Sequence, residues 1–294
     1  MGQTRIEWTE SVWNPVIGCS KVSPGCDHCY AATLARRFGW TTEPWTAPHA
    51  AQNVQCHPER LDQPLHWRRP RNIFVNSMSD LFHDRVPDSF LDAVFAVMSG
   101  SLRHTYQILT KRPRRMHTYL TDPAAPERIV RRAWHNAGMD AHPASLHDLR
   151  VLLNFSWPLP HVWLGVSVED QRRANERIPV LLQTPAALRF LSCEPLLGPV
   201  DLTALPYPVP GGGTVAMNAW QRPSVLAPQI DWVIAGAESG PGARPMDDDW
   251  VRTLRDQCQN AGIPFFFKQR CHQGRKESHP LLDGQLWEEF PTKS

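Results

Sequence analysis

The sequence predicts a parallel α/β protein, built either as an open doubly wound sheet or as a barrel. Two observations carry this. Short apolar runs suited to buried strands alternate with amphipathic helical stretches, and polar residues follow directly on each run. At 294 residues the chain can fill one barrel-sized domain. A single domain over 1–294 is expected, with irregular insertions at about 39–70 and 202–229.

Residues Ile6 to Val16 read as an extended lead-in to Gly18-Cys-Ser-Lys-Val-Ser-Pro-Gly-Cys-Asp-His-Cys-Tyr30. Asp27 is placed to cap a helix through about Phe38, with Leu34, Ala35 and Phe38 on its apolar face and Cys29 in its first turn. From Gly39 to Pro70 periodicity fails, leaving a long connection with one short helix near Pro58 to Trp67. Asn72 to Asn76 suits a buried parallel strand. A helix follows from Asp88 to about Ser99, apolar at Phe90, Leu91, Val94, Phe95 and Met98. Thr105 to Leu109 is the next strand, with a helical stretch after it, and Ala124 to Gly138 is a helix whose Arg128, Arg131 and Arg132 form a solvated basic face.

His161 to Val166 is a further strand, trailed by a helix through Gln183, and Ala187 to Ser192 repeats the signal. Leu202 to Gln229, with Gly211-Gly-Gly213 and several prolines, reads as an irregular surface loop. Asp231 to Ala235 resumes the sheet, Asp249 to Ala261 is an amphipathic helix, and Ile263 to Phe267 is the last strand. The tail after Arg270 is polar and loop-like.

Composition narrows the function classes. Hydrophobic residues at 41% and charged residues at 20% describe a soluble globular protein, with no run long enough to cross a membrane. The opening Met1 to Trp8 lacks the apolar core of a secretory signal, so a reducing cytoplasm is expected, with cysteines present as thiols or metal ligands. A formal charge of +2 is too small to indicate a nucleic-acid binder by bulk electrostatics, and a basic surface would have to be local.

In either topology the polar residues past the strands' carboxyl ends line the binding mouth: Ser77, Asp80, Lys111, Ser167, Glu169, Cys193, Glu194, Glu238, Ser239, Lys268 and Gln269. Three close thiols, Cys19, Cys26 and Cys29, among seven cysteines suggest one soft metal centre. Either zinc with a fourth ligand such as His28 or three corners of a cubane cluster fits this spacing. Cys193 reads as a reactive strand-end thiol or as a small buried residue. Asp80, Glu194, Glu238 and Lys268 read as ligand-binding or proton-shuttling groups, or as turn caps and ion-pair partners. The tryptophans read as core and rim packing before base stacking.

Nearly the whole chain resembles the phage Gp37/Gp68-like (DUF5131, three-Cys-motif) family, which is grouped with the radical S-adenosylmethionine enzymes. The resemblance is carried by Trp13-Asn-Pro-Val-Ile-Gly-Cys19, Val22-Ser-Pro-Gly-Cys-Asp-His-Cys-Tyr30, Ser77-Met-Ser-Asp-Leu-Phe82 and Leu109-Thr-Lys-Arg-Pro113. It continues through Trp163-Leu-Gly-Val-Ser-Val-Glu-Asp170, Ser192-Cys-Glu-Pro-Leu-Leu-Gly198, Trp232-Val-Ile-Ala-Gly-Ala-Glu-Ser-Gly240 and Phe265-Phe-Phe-Lys-Gln269.

It implies a partial or complete parallel (β/α) TIM-like barrel with a [4Fe-4S] cluster held by Cys19, Cys26 and Cys29. The open iron would take S-adenosyl-L-methionine, whose reductive cleavage would yield a 5′-deoxyadenosyl radical that abstracts hydrogen from a nucleoside, nucleotide, nucleic acid or related metabolite. A flavodoxin or ferredoxin would supply the electron. On this resemblance Asn76, Ser77 and Asp80 would meet the methionyl amine, Lys111 or Arg112 its carboxylate, and Ser167 or Glu169 the ribose. Gly236 would admit adenine beside Glu238, and Cys193, Glu194 and Lys268 would serve the chemistry. The loop departs from the commonest radical motif in having six residues between Cys19 and Cys26.

Overall fold

The computed structural model describes residues 4–136, 154–208, 211–220, 228–240, 242–272 and 275–292. They fall into two units, the first comprising 1–20, 34–164 and 184–187, the second 21–33, 165–183 and 188–294.

The first unit is built on parallel strands. β1 (Ser11–Trp13) opens the chain, and β2 (Val16–Ile17) pairs antiparallel with β3 (Gln55–Cys56) after α1 (Tyr30–Arg37) and α2 (Ala50–Asn53). β4 (Asn72–Val75) pairs in parallel with β1, Phe74 facing Val12, and with β5 (Thr105–Thr110), Ile73 facing Tyr106. Between them α3 (Asp88–Ser99) buries nearly every side chain, which explains an apolar run too broad for one amphipathic face. α4 (Pro113–Thr121) and α5 (Ala125–Asn136) follow.

Arg128 in α5 turns inward rather than joining a solvated face. Its Nε donates to Asp92 Oδ2 at 2.9 Å, while Tyr119 donates its hydroxyl to Asp92 Oδ1 at 2.8 Å, so the carboxylate inside α3 is compensated. β6 (Val162–Ser167) is buried along its length, and the division between the units falls within it.

The second unit continues with α6 (Gln171–Gln183), β7 (Leu188–Cys193), β8 (Leu205–Pro208) and β9 (Thr214–Met217). After them come β10 (Trp232–Gly236), α7 (Asp248–Ala261), β11 (Phe265–His272), β12 (Arg275–Ser278), β13 (Leu281–Leu282) and β14 (Gln285–Leu286). β10 lies parallel to both β7 and β11. Trp232 is fully buried and donates its indole N–H to Glu289 O at 2.9 Å, satisfying the one polar atom of a large core ring.

Hydrogen bonding orders eight strands as β1-β4-β5-β6-β7-β10-β11-β12 in one mostly parallel sheet. The class is mixed α/β. A complete barrel is not formed among the described residues, because β1 and the antiparallel β12 stand at the two ends of the order.

Several local expectations are corrected. Asp27 does not cap the helix: it follows the 3-10 turn Pro24–Cys26, its side chain reaches Lys21 Nζ at 3.4 Å, and α1 starts at Tyr30, one residue after Cys29. The 39–70 connection contains α2, β3 and three 3-10 turns, Ala47–His49, Pro58–Arg60 and Gln63–His66. In the 202–229 insertion β8 and β9 pair antiparallel, with Gly211, Gly212 and Gly213 between them at φ of 91°, 92° and 96°. The tail after Arg270 is not loop-like, since β11 runs to His272 and β12 pairs antiparallel with it. The expected helix beyond 136 and the part of the insertion at 221–227 lie outside the described residues.

Candidate functional site

In the first unit the ends of β4 and β5 are tied by one carboxylate. β4 gives way at Asn76, whose φ of 64° is a left-handed conformation that asparagine tolerates better than most residues. Its Oδ1 accepts from Val16 N at 3.2 Å, while its buried Nδ2 has no hydrogen-bond partner among the described residues. Ser77 donates to Asn14 Oδ1 at 3.2 Å.

Buried Asp80 accepts from Thr110 Oγ1 at 2.7 Å, Phe82 N at 3.0 Å, Lys111 N at 3.0 Å and Arg112 Nη1 at 3.1 Å. Arg112 also donates to Cys19 Sγ at 3.4 Å and to Ser20 O and Oγ at 2.9 and 3.0 Å, using its planar fork to join the chain before the cysteine loop to the two strand ends. Burial, then the Arg112 charge, lowers the His83 pKa to about 4. The neutral ring accepts from Arg85 N on Nδ1, which leaves Nε2–H to donate to Ser20 Oγ at 2.9 Å.

In the second unit two buried carboxylates hold the rest of that loop. Glu169, past β6, is 0% exposed. Its Oε1 accepts from Ser23 Oγ at 2.6 Å and its Oε2 from Arg177 Nη1 at 3.0 Å, with Arg177 also donating to Ser167 O at 2.8 Å. Gly25 lies so close that a Cβ there would stand 2.5 Å from Glu169 Cγ. Glu238, past β10, accepts from His28 Nδ1 at 2.8 Å and from Arg244 N and Nε, each at 3.0 Å, and Arg244 reaches back to Pro24 O at 2.9 Å. Burial alone would raise the Glu238 pKa, but the hydrogen bonds from Arg244 and His28 hold it down at about 2.

The end of β7 meets the interior of β11 in one ion pair. β10 and β11 slip register between Ala235, which faces Phe267, and Gly236, which faces Gln269. Lys268 is therefore the extra residue of a bulge, and its Nζ donates to Glu194 Oε1 at 2.5 Å, at the end of β7. The space beside Gly236 is taken by Gln269, whose Cγ would lie 3.3 Å from a Cβ at 236 and whose Nε2 donates to Ala237 O. Cys193 is fully buried, and burial, with Glu169 adding to it, pushes its thiol up to about 12.

The metal centre expected at the cysteines is overturned. All seven cysteines are thiols, yet among the described residues no three of His, Cys, Asp and Glu gather into a group able to hold a metal ion. Cys19 belongs to the first unit, where Arg112 donates to its sulfur, and Cys26 and Cys29 belong to the second. Cys26 ends the 3-10 turn 3.9 Å from Ser23 Oγ, and Cys29 leads into α1 with its carbonyl accepting from Thr33 N. The donor set fits neither the [4Fe-4S] cluster nor the zinc ion. The S-adenosyl-L-methionine that was to bind the cluster, and the flavodoxin or ferredoxin that was to reduce it, lose their anchor. His28 is turned to Glu238 instead.

The residues that complete these clusters and were not singled out are Ser20, Ser23, His83, Thr110, Arg177 and Arg244. Arg177 had a readable signal, since it interrupts the apolar stripe of Ala174, Ile178, Leu181 and Leu182 on α6. Arg244 had none, for it sits in a loop whose position depends on Glu238.

Fold and site together define an α/β protein in which three strand-end carboxylates, Asp80, Glu169 and Glu238, are each clasped by an arginine. The chain belongs to the family described as protein of unknown function (DUF5131), whose model matches residues 3–291. No curated protein and no solved structure matches it. Among the described residues no helix is long and apolar enough to cross a membrane.

Proposed function

We propose that this protein is an enzyme acting on a nucleoside, nucleotide, nucleic acid or related polar metabolite, with Glu194 and Lys268 as its proton-handling pair. The observation that carries the reading is the bulge that aims Lys268 at Glu194. Both side chains are largely removed from water, at 10% and 19% exposure. A partly buried ion pair of this kind is a weak source of stability, and apolar residues of similar size would serve a core as well or better. Glu194 directly follows the carboxyl end of β7, where parallel α/β folds bind ligands, and Lys268 reaches it from the bulge within β11. In this role the Glu194 carboxylate takes a proton from the substrate and the Lys268 ammonium stabilises the negative charge that develops. The radical chemistry implied by the family resemblance needs a cluster that the cysteines do not gather to hold among the described residues.

The test is a panel of nucleosides, nucleotides and short oligonucleotides, screened by saturable rise in melting temperature and then by mass spectrometry for product. A binder is expected that is turned over by the wild type, with Glu194→Gln slowing turnover about a hundredfold or more while folding normally by circular dichroism. A panel with no binder, a binder that is never converted, or full activity in Glu194→Gln would overturn the reading.

A further inference from the structure

The segment Arg36-Arg37-Phe38-Gly39-Trp40 closes α1 and is exposed throughout. Its backbone is fixed. Gly39 takes a left-handed φ of 67°, Trp40 N donates to Ala35 O at 2.8 Å, and Gly39 N donates to Arg36 O at 3.1 Å. This is a Schellman closure, in which an apolar residue after the glycine commonly folds back on the helix. Here Trp40 is instead 42% exposed and Phe38 57% exposed, with their ring centroids 5.1 Å apart and their planes 32° from parallel. A Cβ at Gly39 would meet no heavy atom within 4 Å, so the space before the turn is open.

The charges that precede the rings in the chain are uncommitted among the described residues. Arg36 and Arg37 make no ion pair or side-chain hydrogen bond among the described residues, whereas Arg112, Arg128, Arg177 and Arg244 are all engaged with carboxylates. Two exposed arginines followed in the chain by two exposed rings, all on one hydrogen-bonded turn, match the phosphates that join unpaired bases and the faces of the bases themselves. A duplex hides its base faces, and an apolar helix would leave the guanidiniums unused.

We propose that this turn docks single-stranded nucleic acid, with bases stacked on Phe38 and Trp40 and phosphates against Arg36 and Arg37. The surface acts whether or not Glu194 and Lys268 turn over a substrate. Fluorescence anisotropy of a labelled oligothymidylate or oligouridylate of about 20 nucleotides tests it, across a range of salt concentrations. Wild-type protein is expected to bind either strand more tightly than a duplex of equal length. Phe38→Ala/Trp40→Ala is expected to weaken binding about tenfold or more, and Phe38→Tyr/Trp40→Phe to preserve it. Arg36→Gln/Arg37→Gln is expected to lower the salt slope by about one to one and a half, from two lost phosphate contacts.

Absence of binding at low salt, equal affinity for duplex, or unchanged affinity in Phe38→Ala/Trp40→Ala would each overturn the proposal. Because these side chains are exposed, melting curves of the variants should match the wild type. Failure of every nucleoside, nucleotide and oligonucleotide to be turned over at Glu194 and Lys268 would leave this oligonucleotide binding intact, whereas loss of the binding in Phe38→Ala/Trp40→Ala would leave turnover intact, which tells the two failures apart.

Discussion

Ser23 donates its hydroxyl to Glu169 Oε1 at 2.6 Å across 146 positions of sequence. The same carboxylate takes Arg177 on its other oxygen. One buried side chain thus fixes both the cysteine loop and the helix after its own strand.

Removing one member of that pair should be far more damaging than removing both. Glu169→Gln leaves Arg177, 5% exposed, without its counter-charge, and a loss of about 3–5 kcal/mol is expected in urea unfolding. Glu169→Leu/Arg177→Met should recover much of it. A double variant no better than the single one would show that the carboxylate acts through Ser23 instead.

Acid should weaken the fold in two stages. Between the ordinary histidine value of 6.5 and about 4, the unfolded chain takes up a proton at His83 that the folded chain refuses. Stability therefore falls as pH drops through that window. Between the ordinary carboxyl value of 4.5 and about 2, the unfolded chain protonates the equivalent of Glu238 first, and its contribution is lost in turn. Unfolding curves against pH should show a smaller upper stage in His83→Gln, where buried His104 and His161 still contribute, and a smaller lower stage in Glu238→Gln, where arginine-paired carboxylates such as Glu176 and Asp283 still contribute. A wild-type profile flat from 6.5 to 4 would contradict the burial assigned to His83.

The thiols should sort by depth. Cys193 and Cys258 are fully buried, and burial raises both pKa values, so neither presents a thiolate to solvent. Alkylation of the folded protein at about pH 8, mapped by mass spectrometry, should label these two at least about a hundredfold more slowly than in denaturant. Fast labelling of Cys193 would place it at an open surface.

The parts of the fold that were legible are those whose signal is local. Asn72 to Val75, Trp232 to Gly236 and the helix from Asp88 to Ser99 are continuous apolar runs, and burial on both faces leaves that mark whatever packs against them. Asp27 misled because a helix cap and a loop ion pair use the same residue type, and Lys21 was the nearer partner. The hairpin of β8 and β9 was hidden by prolines at 206 and 208 and by the glycine run, which individually argue against strands. Cysteine spacing told only how far the loop could reach. It carried no sign that Arg112 would take the first sulfur. The strand-end positions of Asp80, Glu169 and Glu238 were readable, whereas their arginine partners come from register and loop path.

The bulge at Lys268 has a consequence for how this strand tolerates change. With residue 268 removed, Phe267 would still face Ala235 and Gln269 would still face Gly236, so the ladder would run on as an uninterrupted parallel pair. The sheet would be whole without that lysine. A one-residue deletion, ordinarily ruinous inside a core strand because it inverts every side chain beyond it, would here restore regular alternation and abolish only the reach to Glu194.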